Sequence, residues 1–169
     1  MVAAPFSRRL DVDTQPIVEA IVQTLLADTA VTGDKATNGY AGVANRVYPQ
    51  AAINPDPSGK GQDYPYLIVV CASATVAVDQ STARVDALFD LTVVDRSHTP
   101  NNPAGSTANT VAVGEAAWAR LLQQPLSVAR YTNIAVAPRE APRGTLNIQQ
   151  GITIRQQRCS VRVQGNWTG

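Results

Sequence analysis

The sequence predicts an α+β fold: a mostly antiparallel or mixed sheet of about five strands with two helices packed on one face, in the order α-β-β-β-α-β-β. One pattern behind this is a helix whose apolar residues form two adjacent i, i+4 rows, Ile17–Ile21–Leu25 and Val18–Val22–Leu26. Another is the strict alternation of residues 84–95, where Val85, Ala87, Phe89, Leu91 and Val93 interleave with Arg84, Asp86, Leu88, Asp90 and Thr92. The third is the unbroken apolar run of residues 65–72, the pattern of a strand buried on both faces.

Residues 1–13 read as an arm, with Pro5, paired Arg8 and Arg9, and no helical period; residues 14–169 read as one domain. The first helix is expected over Pro16 to Thr29, with Thr14 as N-cap, Pro16 in the first turn and Glu19 complementing the dipole. Asp11 and Asp13 read as capping or solvated. Gly33 and the polar cluster Thr32–Asn38 end the helix. Residues 43–48 suit a short strand stopped by Pro49, because proline lacks the ladder N–H. Pro55, Pro57, Gly59 and Gly61 then mark a long loop over about 50–63. After the run at 65–72, Thr75–Val78 continue the strand past a bend.

The alternating strand is followed by a second long loop, about 96–108, containing Pro100, Asn101, Asn102, Pro103 and Gly105. Residues 109–124 read as the second helix, with Val111, Gly114, Trp118, Leu121 and Leu122 on one face. Gly114 at that spacing lets the helix lie close to the sheet, and Pro125 stops it. Ile134–Ala137 is a short strand, and Pro138, Pro142 and Gly144 make a turn. The last segment alternates on even positions (Ile148, Ile152, Ile154) and then on odd ones (Cys159, Val161, Val163). That change of parity implies a β-bulge or two strands.

Composition narrows the function. The 169 residues are 44% hydrophobic but only 5% aromatic, so Val, Ile, Leu and Ala must fill the core. No apolar run approaches the ~18 residues of a membrane span, and the N-terminus lacks the apolar region of a signal peptide. Cys71 and Cys159 lie 88 positions apart in strand-like runs and read as reduced core residues. The net charge of +1 conceals an asymmetry: residues 120–169 carry +6 and residues 1–119 carry −5. Twelve of the fourteen basic residues are Arg, the side chain suited to planar pairing across a contact. Either the two parts dock on copies or on different partners, or the fold interleaves them.

Catalytic patterns do not emerge. His98 is the single histidine; with Asp95 as orienting carboxylate it would be a hydrolase base, but no Gly-x-Ser-x-Gly elbow accompanies it. Asp86 and Asp90 on one strand face would stand ~13 Å apart, too far for a glycosidase pair. Two distant Cys and one His do not make a zinc site. There is no phosphate-cradling glycine loop, and a pI of 7.8 is low for a dense DNA-binding patch, leaving nucleic acid only the role of passing through a lined pore. The reading is therefore not an enzyme, with no cofactor and no metal.

The order of these signals resembles a known family. The double-row helix comes first, then Asn45-Arg46-Val47-Tyr48-Pro49 and Asp63-Tyr64-Pro65-Tyr66-Leu67-Ile68-Val69-Val70. The alternating strand Val85–Val93, the alanine-rich helix Val111–Leu122 and the closing Val161-Arg162-Val163 follow. Over about residues 14–164 this order is similar to the tail terminator (tail completion) family of tailed bacteriophages. The resemblance implies a structural virion protein of the tail or neck, assembled in the host cytoplasm. It would form a hexameric ring that caps the tail tube, ends tube polymerisation and joins the head connector or stopper protein. Contact with passing DNA would be non-specific, and no membrane is involved. The arm and the two long loops depart from the family pattern, so another head–tail joining (neck or stopper) ring is the alternative, with a small hydrolase behind it. The residues expected at protein interfaces are Arg8 and Arg9 of the arm, Asp56 and Lys60 of the first loop, and Arg96, His98, Asn101 and Asn102 of the second. Arg139 and Arg143 of the proline turn, and Arg155, Arg158 and Arg162 around the parity switch, complete the set.

Overall fold

The computed structural model describes residues 13–49, 64–79, 82–96, 103–123, 125–149 and 152–168. The expected arm, most of it, and the loop at 50–63 lie outside these residues. The architecture is the expected one: a five-stranded mixed sheet with the two long helices on one face. In chain order the elements are α1 (Gln15–Leu26), the single turns α2 (Thr29–Thr32) and α3 (Lys35–Asn38), β1 (Val47–Pro49), β2 (Tyr66–Asp79) and β3 (Thr82–Arg96). They are followed by α4 (Pro103–Gln123), β4 (Tyr131–Gln149) and β5 (Ile152–Trp167). The sheet order is β1-β2-β3-β5-β4, with β1 parallel to β2 and every other pair antiparallel.

Both apolar rows of α1 face the sheet: Ile17, Ile21 and Leu25 are fully buried and Val18 and Val22 nearly so. They meet Leu67, Val69, Val85, Phe89, Leu91, Val161 and Val163 in one core. Each such side chain removed from water stabilises the fold by roughly 1.5–3 kcal/mol. The helix ends at Leu26, three residues before the expected end, because Asp28 starts a new turn by accepting a hydrogen bond from Ala30 N (2.9 Å). A second unexpected turn follows, where Asp34 accepts from Thr37 N (2.9 Å) and Gly39 closes α3 at φ +78°, a left-handed cap suited to glycine. At the start of α1, Thr14 occupies the cap position without a side-chain cap bond; Asp13 Oδ1 accepts from Gln15 N instead (2.9 Å). Glu19 lies beyond the first turn.

The second helix is longer than expected. It begins at Pro103, so residues 103–108 of the expected loop are its opening turns, where proline's missing N–H costs no bond. Its buried face is Thr110, Val113, Gly114, Ala117 and Leu121, whereas Val111, Trp118 and Leu122 are half-buried on its flanks. A Cβ at Gly114 would sit 2.6 Å from Gln157 Cγ, so the close approach read from the sequence is real.

Three strand expectations need correction: the first strand, expected over residues 43–48 and stopped by Pro49, is only Val47–Pro49 and includes that proline. The proline-rich turn at 138–144 does not exist: β4 runs through Pro138 and Pro142 as a sheet edge. Prolines are tolerated there because an edge leaves alternate N–H groups unbonded, and register shifts beside both prolines absorb the misfit. The parity switch in the last segment is neither a bulge nor a strand break, since β5 pairs with β3 without interruption from Trp167 to Ile154. The sheet instead buries opposite faces at its two ends. Cys159, Val161 and Val163 face the helices. Ile154 joins Tyr66 and Val94, flanked by Tyr48, Tyr64 and Ile68, in a second small core on the other face.

A true bulge lies in β2, between Cys71 and Ser73. The strand before it is largely buried, as its apolar run implies, but all eight residues from Ala72 to Asp79 are exposed. Among the described residues, Val76 (40% exposed) and Val78 (63%) are the large hydrophobics left open.

Candidate assembly surfaces

The first motif pair of the sequence forms one joint. Val47 and Tyr48 of β1 pair with Leu67 and Ile68 of β2, and Leu67 N donates to Arg46 O (2.9 Å). The Arg46 side chain reaches across the gap, its Nε donating to Pro65 O (2.8 Å). Tyr48, Tyr64 and Tyr66 pack as a tilted trio, with centroids 6.3 Å (Tyr48–Tyr66) and 5.4 Å (Tyr64–Tyr66) apart. Burial, and secondarily its tyrosine neighbours, pushes the Tyr66 hydroxyl up to about 12. Arg46 is the fastener of this joint and was absent from the expected interface set.

The sheet face opposite the helices carries the charges. Arg162 forms a two-pronged pair with Asp86, its Nε donating to Oδ1 (2.8 Å) and a terminal nitrogen to Oδ2. Gln164 Nε2 also donates to Asp86 Oδ2 (3.1 Å). The Arg162 hydrogen bonds, opposed by partial burial and aided by Gln164, hold the Asp86 carboxyl down at about 2. One step along the sheet, Arg158 pairs with Asp90. On the helix side Arg120 faces Asp28 at 3.6 Å. Three of the seven C-terminal arginines thus neutralise acids from the earlier part of the chain, so the charge asymmetry is partly interleaved. A shallow groove of about 410 Å³ runs over this face, lined by Ser73, Thr75, Asp86, Leu88, Ala137, Pro138, Arg139 and Arg162.

The fold gathers only some of the expected interface residues. Arg158 and Arg162 are exposed on one face of β5, and Arg139 and Arg143 are exposed on the edge strand β4. Arg96 ends β3, half-buried. Arg155 is half-buried too, with no hydrogen-bond partner for Nε, and lies opposite Asp95 in register. Arg8, Arg9, Asp56, Lys60, His98, Asn101 and Asn102 lie outside the described residues. The Asp95 carboxylate, which a His98 base would need, is fully buried and engaged. It accepts from Arg96 N (2.8 Å) and Asn109 Nδ2 (3.1 Å), while Asn109 Oδ1 accepts from Ala41 N (3.1 Å). This knot ties β3, α4 and the segment after α3 together. Among the described residues no group of three or more His, Cys, Asp or Glu is placed to hold a metal, and no helix is long and apolar enough to cross a membrane. Both cysteines are free, and burial pushes the Cys159 thiol up to about 12.

The two edges of the sheet differ. β4 is an outer edge along its length, interrupted by its prolines and register shifts. Beside its first half, an open groove of about 200 Å³ is lined by Leu121, Leu122, Gln123, Pro125, Leu126, Ile134 and Val136. At the other edge β1 covers β2 only from Leu67 to Val69.

Comparison with known proteins adds a structural likeness. No family model and no curated protein sequence matches the chain. A chain in a solved structure titled "Virion of native gene transfer agent (GTA) particle" superposes with a TM-score of 0.57. The match covers 89% of this chain and 94% of that chain at 16% identity. At that identity the likeness shows the fold, and it extends over nearly the whole of both chains.

Proposed function

We propose that the chain is a structural protein of a tailed-phage-like virion: a tail terminator whose ring caps the tail tube and offers its other side to the head connector. The observation that carries this reading is the near full-length likeness to a chain of a virion particle. It is supported by the order of sequence motifs, whose second and third members come together as the Arg46 joint. Exposed arginines on β4 and β5 supply surface for head-to-tail contacts between copies, the arrangement that closes into rings.

Light scattering and negative-stain microscopy of the purified protein, alone and with tail tubes, test the proposal. Rings, or protein bound at one end of each tube with tube growth arrested, are expected. A protein that stays monomeric at high concentration and beside tubes refutes it. A ring that binds the connector but leaves tube growth unaffected replaces the terminator role with that of a neck or stopper ring.

A further inference from the structure

We propose that copies of this chain join edge to edge, the exposed half of β2 in one copy pairing antiparallel with the first half of β4 in the next. Val76 and Val78 then seat in the groove beside Ile134 and Val136. This rests on the ring reading above and specifies its contact.

Strand directions favour this pairing. β3 is antiparallel to β2, β5 to β3, and β4 to β5, so β2 and β4 run in opposite senses. Copies set side by side in one orientation therefore bring β4 against β2 as an antiparallel pair. The two edges also match in level. Ala74 aligns through Ala87 and Val163 with Val136, and Val78 aligns through Ala83 and Trp167 with Tyr131.

The two edges present the same pattern. On β2 the bulge turns Ala74, Val76 and Val78 to the helix-bearing face, beside the buried Ala87, Val85 and Ala83. On β4 the half-buried Ile134 and Val136 pack against the core on that face, while Ala135 and Ala137 are exposed. The open groove lined by Leu121, Leu122, Leu126, Ile134 and Val136 lies where a neighbour's valines would arrive. Pro138 at one end and the register shift between Thr132 and Ala135 at the other bound the regular stretch of β4, so the pairing centres on residues 134–137. Charge is complementary as well. Within the paired stretches the charged residues are Asp79 on β2 and Arg130 just before β4. Arg130 lies level with Asp79, since Thr168 N donates to Arg130 O just beyond the Trp167–Ala83 pair.

Size-exclusion chromatography with light scattering on the wild type and on the Val76→Asp/Val78→Asp variant tests this. Both valines are exposed, so the variant should keep the wild-type circular dichroism while its mass falls from the ring to the 17.9 kDa protomer. A wild type that is monomeric sinks the ring reading itself. A wild-type ring that persists in the folded variant overturns the β2–β4 contact alone. Cysteine trapping gives a second measure in a Cys71→Ser background. Val76→Cys with Ile134→Cys in one chain should give an oxidised ladder, and the two single variants mixed should give dimers only. Efficient dimers from Val76→Cys alone would show β2 pairing with itself and overturn the proposal. So would the lack of a ladder from an oligomeric double variant.

Discussion

Replacing Gly114 with alanine sets two effects of similar size against each other. Alanine in a helix interior gains roughly 1 kcal/mol over glycine. The new Cβ, however, would lie 2.6 Å from Gln157 Cγ and 3.2 Å from its Cβ, and Gln157 is itself buried under α4. Neither atom is the free end of a side chain, so α4 or β5 must shift. Overpacking of this kind costs about 1–3 kcal/mol. The difference leaves Gly114→Ala less stable by about 1 kcal/mol, a melting temperature lower by about 2–4 °C for a chain of this length. Gln157→Ala removes the 2.6 Å contact and leaves only the 3.2 Å one, which a slight adjustment relieves. In that background Gly114→Ala should be neutral or stabilising, giving a coupling energy of about 1 kcal/mol or more. Urea unfolding of the four proteins of the cycle, at matched concentration and oligomeric state, measures it. A Gly114→Ala protein more stable than wild type, or an equal effect in both backgrounds, would refute the argument that α4 rests on Gln157.

Other expected outcomes follow from single contacts. Phe89→Ala, at a fully buried position in the centre of the sheet, should lose about 3–5 kcal/mol in denaturant unfolding. Asp95→Ala leaves Asn109 Nδ2 and Arg96 N without their acceptor and should lose about 1–3 kcal/mol by the same assay. Arg162→Ala should raise the Asp86 pKa from about 2 toward the ordinary aspartate range, followed by carboxyl NMR titration. Because that pKa is depressed by folding, the pair's contribution is present above the unfolded value near 3.9 and is lost as pH falls toward about 2. Cys159, with its thiol pushed up to about 12, should resist alkylation at pH 8 until the chain unfolds, read by mass spectrometry.

What was legible in the sequence was periodic and local. The double row of α1, the alternation of β3 and the glycine spacing of α4 each report one element's own packing face. Long-range pairing was less visible. Whether proline ends a strand depends on whether the strand is an edge, which Pro138 and Pro142 cannot announce. The parity switch before Cys159 was visible but ambiguous, because a sheet that changes its buried face writes the same pattern as a bulge. The bulge that does exist, near Ala72, was legible only as the bend expected before Thr75, which did not show that the strand changes its outward face there. Of the interface set, Arg158 and Arg162 do share a face, but their Asp90 and Asp86 partners come from a strand some seventy positions away. Val76 and Val78 read only as part of a strand continued past a bend, and the missing cover over that half of β2 is what sets them apart.

The single extra residue near Ala72, held out of the ladder, sets the phase of the rest of β2. Deleting it would keep Ser73 opposite Leu88 and Ala74 opposite Ala87, but pairing Ala72 regularly, without the bulge, would turn every later residue of β2 to the opposite face. Val76 and Val78 would move to the charged face, and Ser73, Thr75 and Ala77 would turn toward the helices. Substitutions in this stretch can be absorbed one side chain at a time. A change of phase at the bulge cannot, because it exchanges the whole surface that the edge presents.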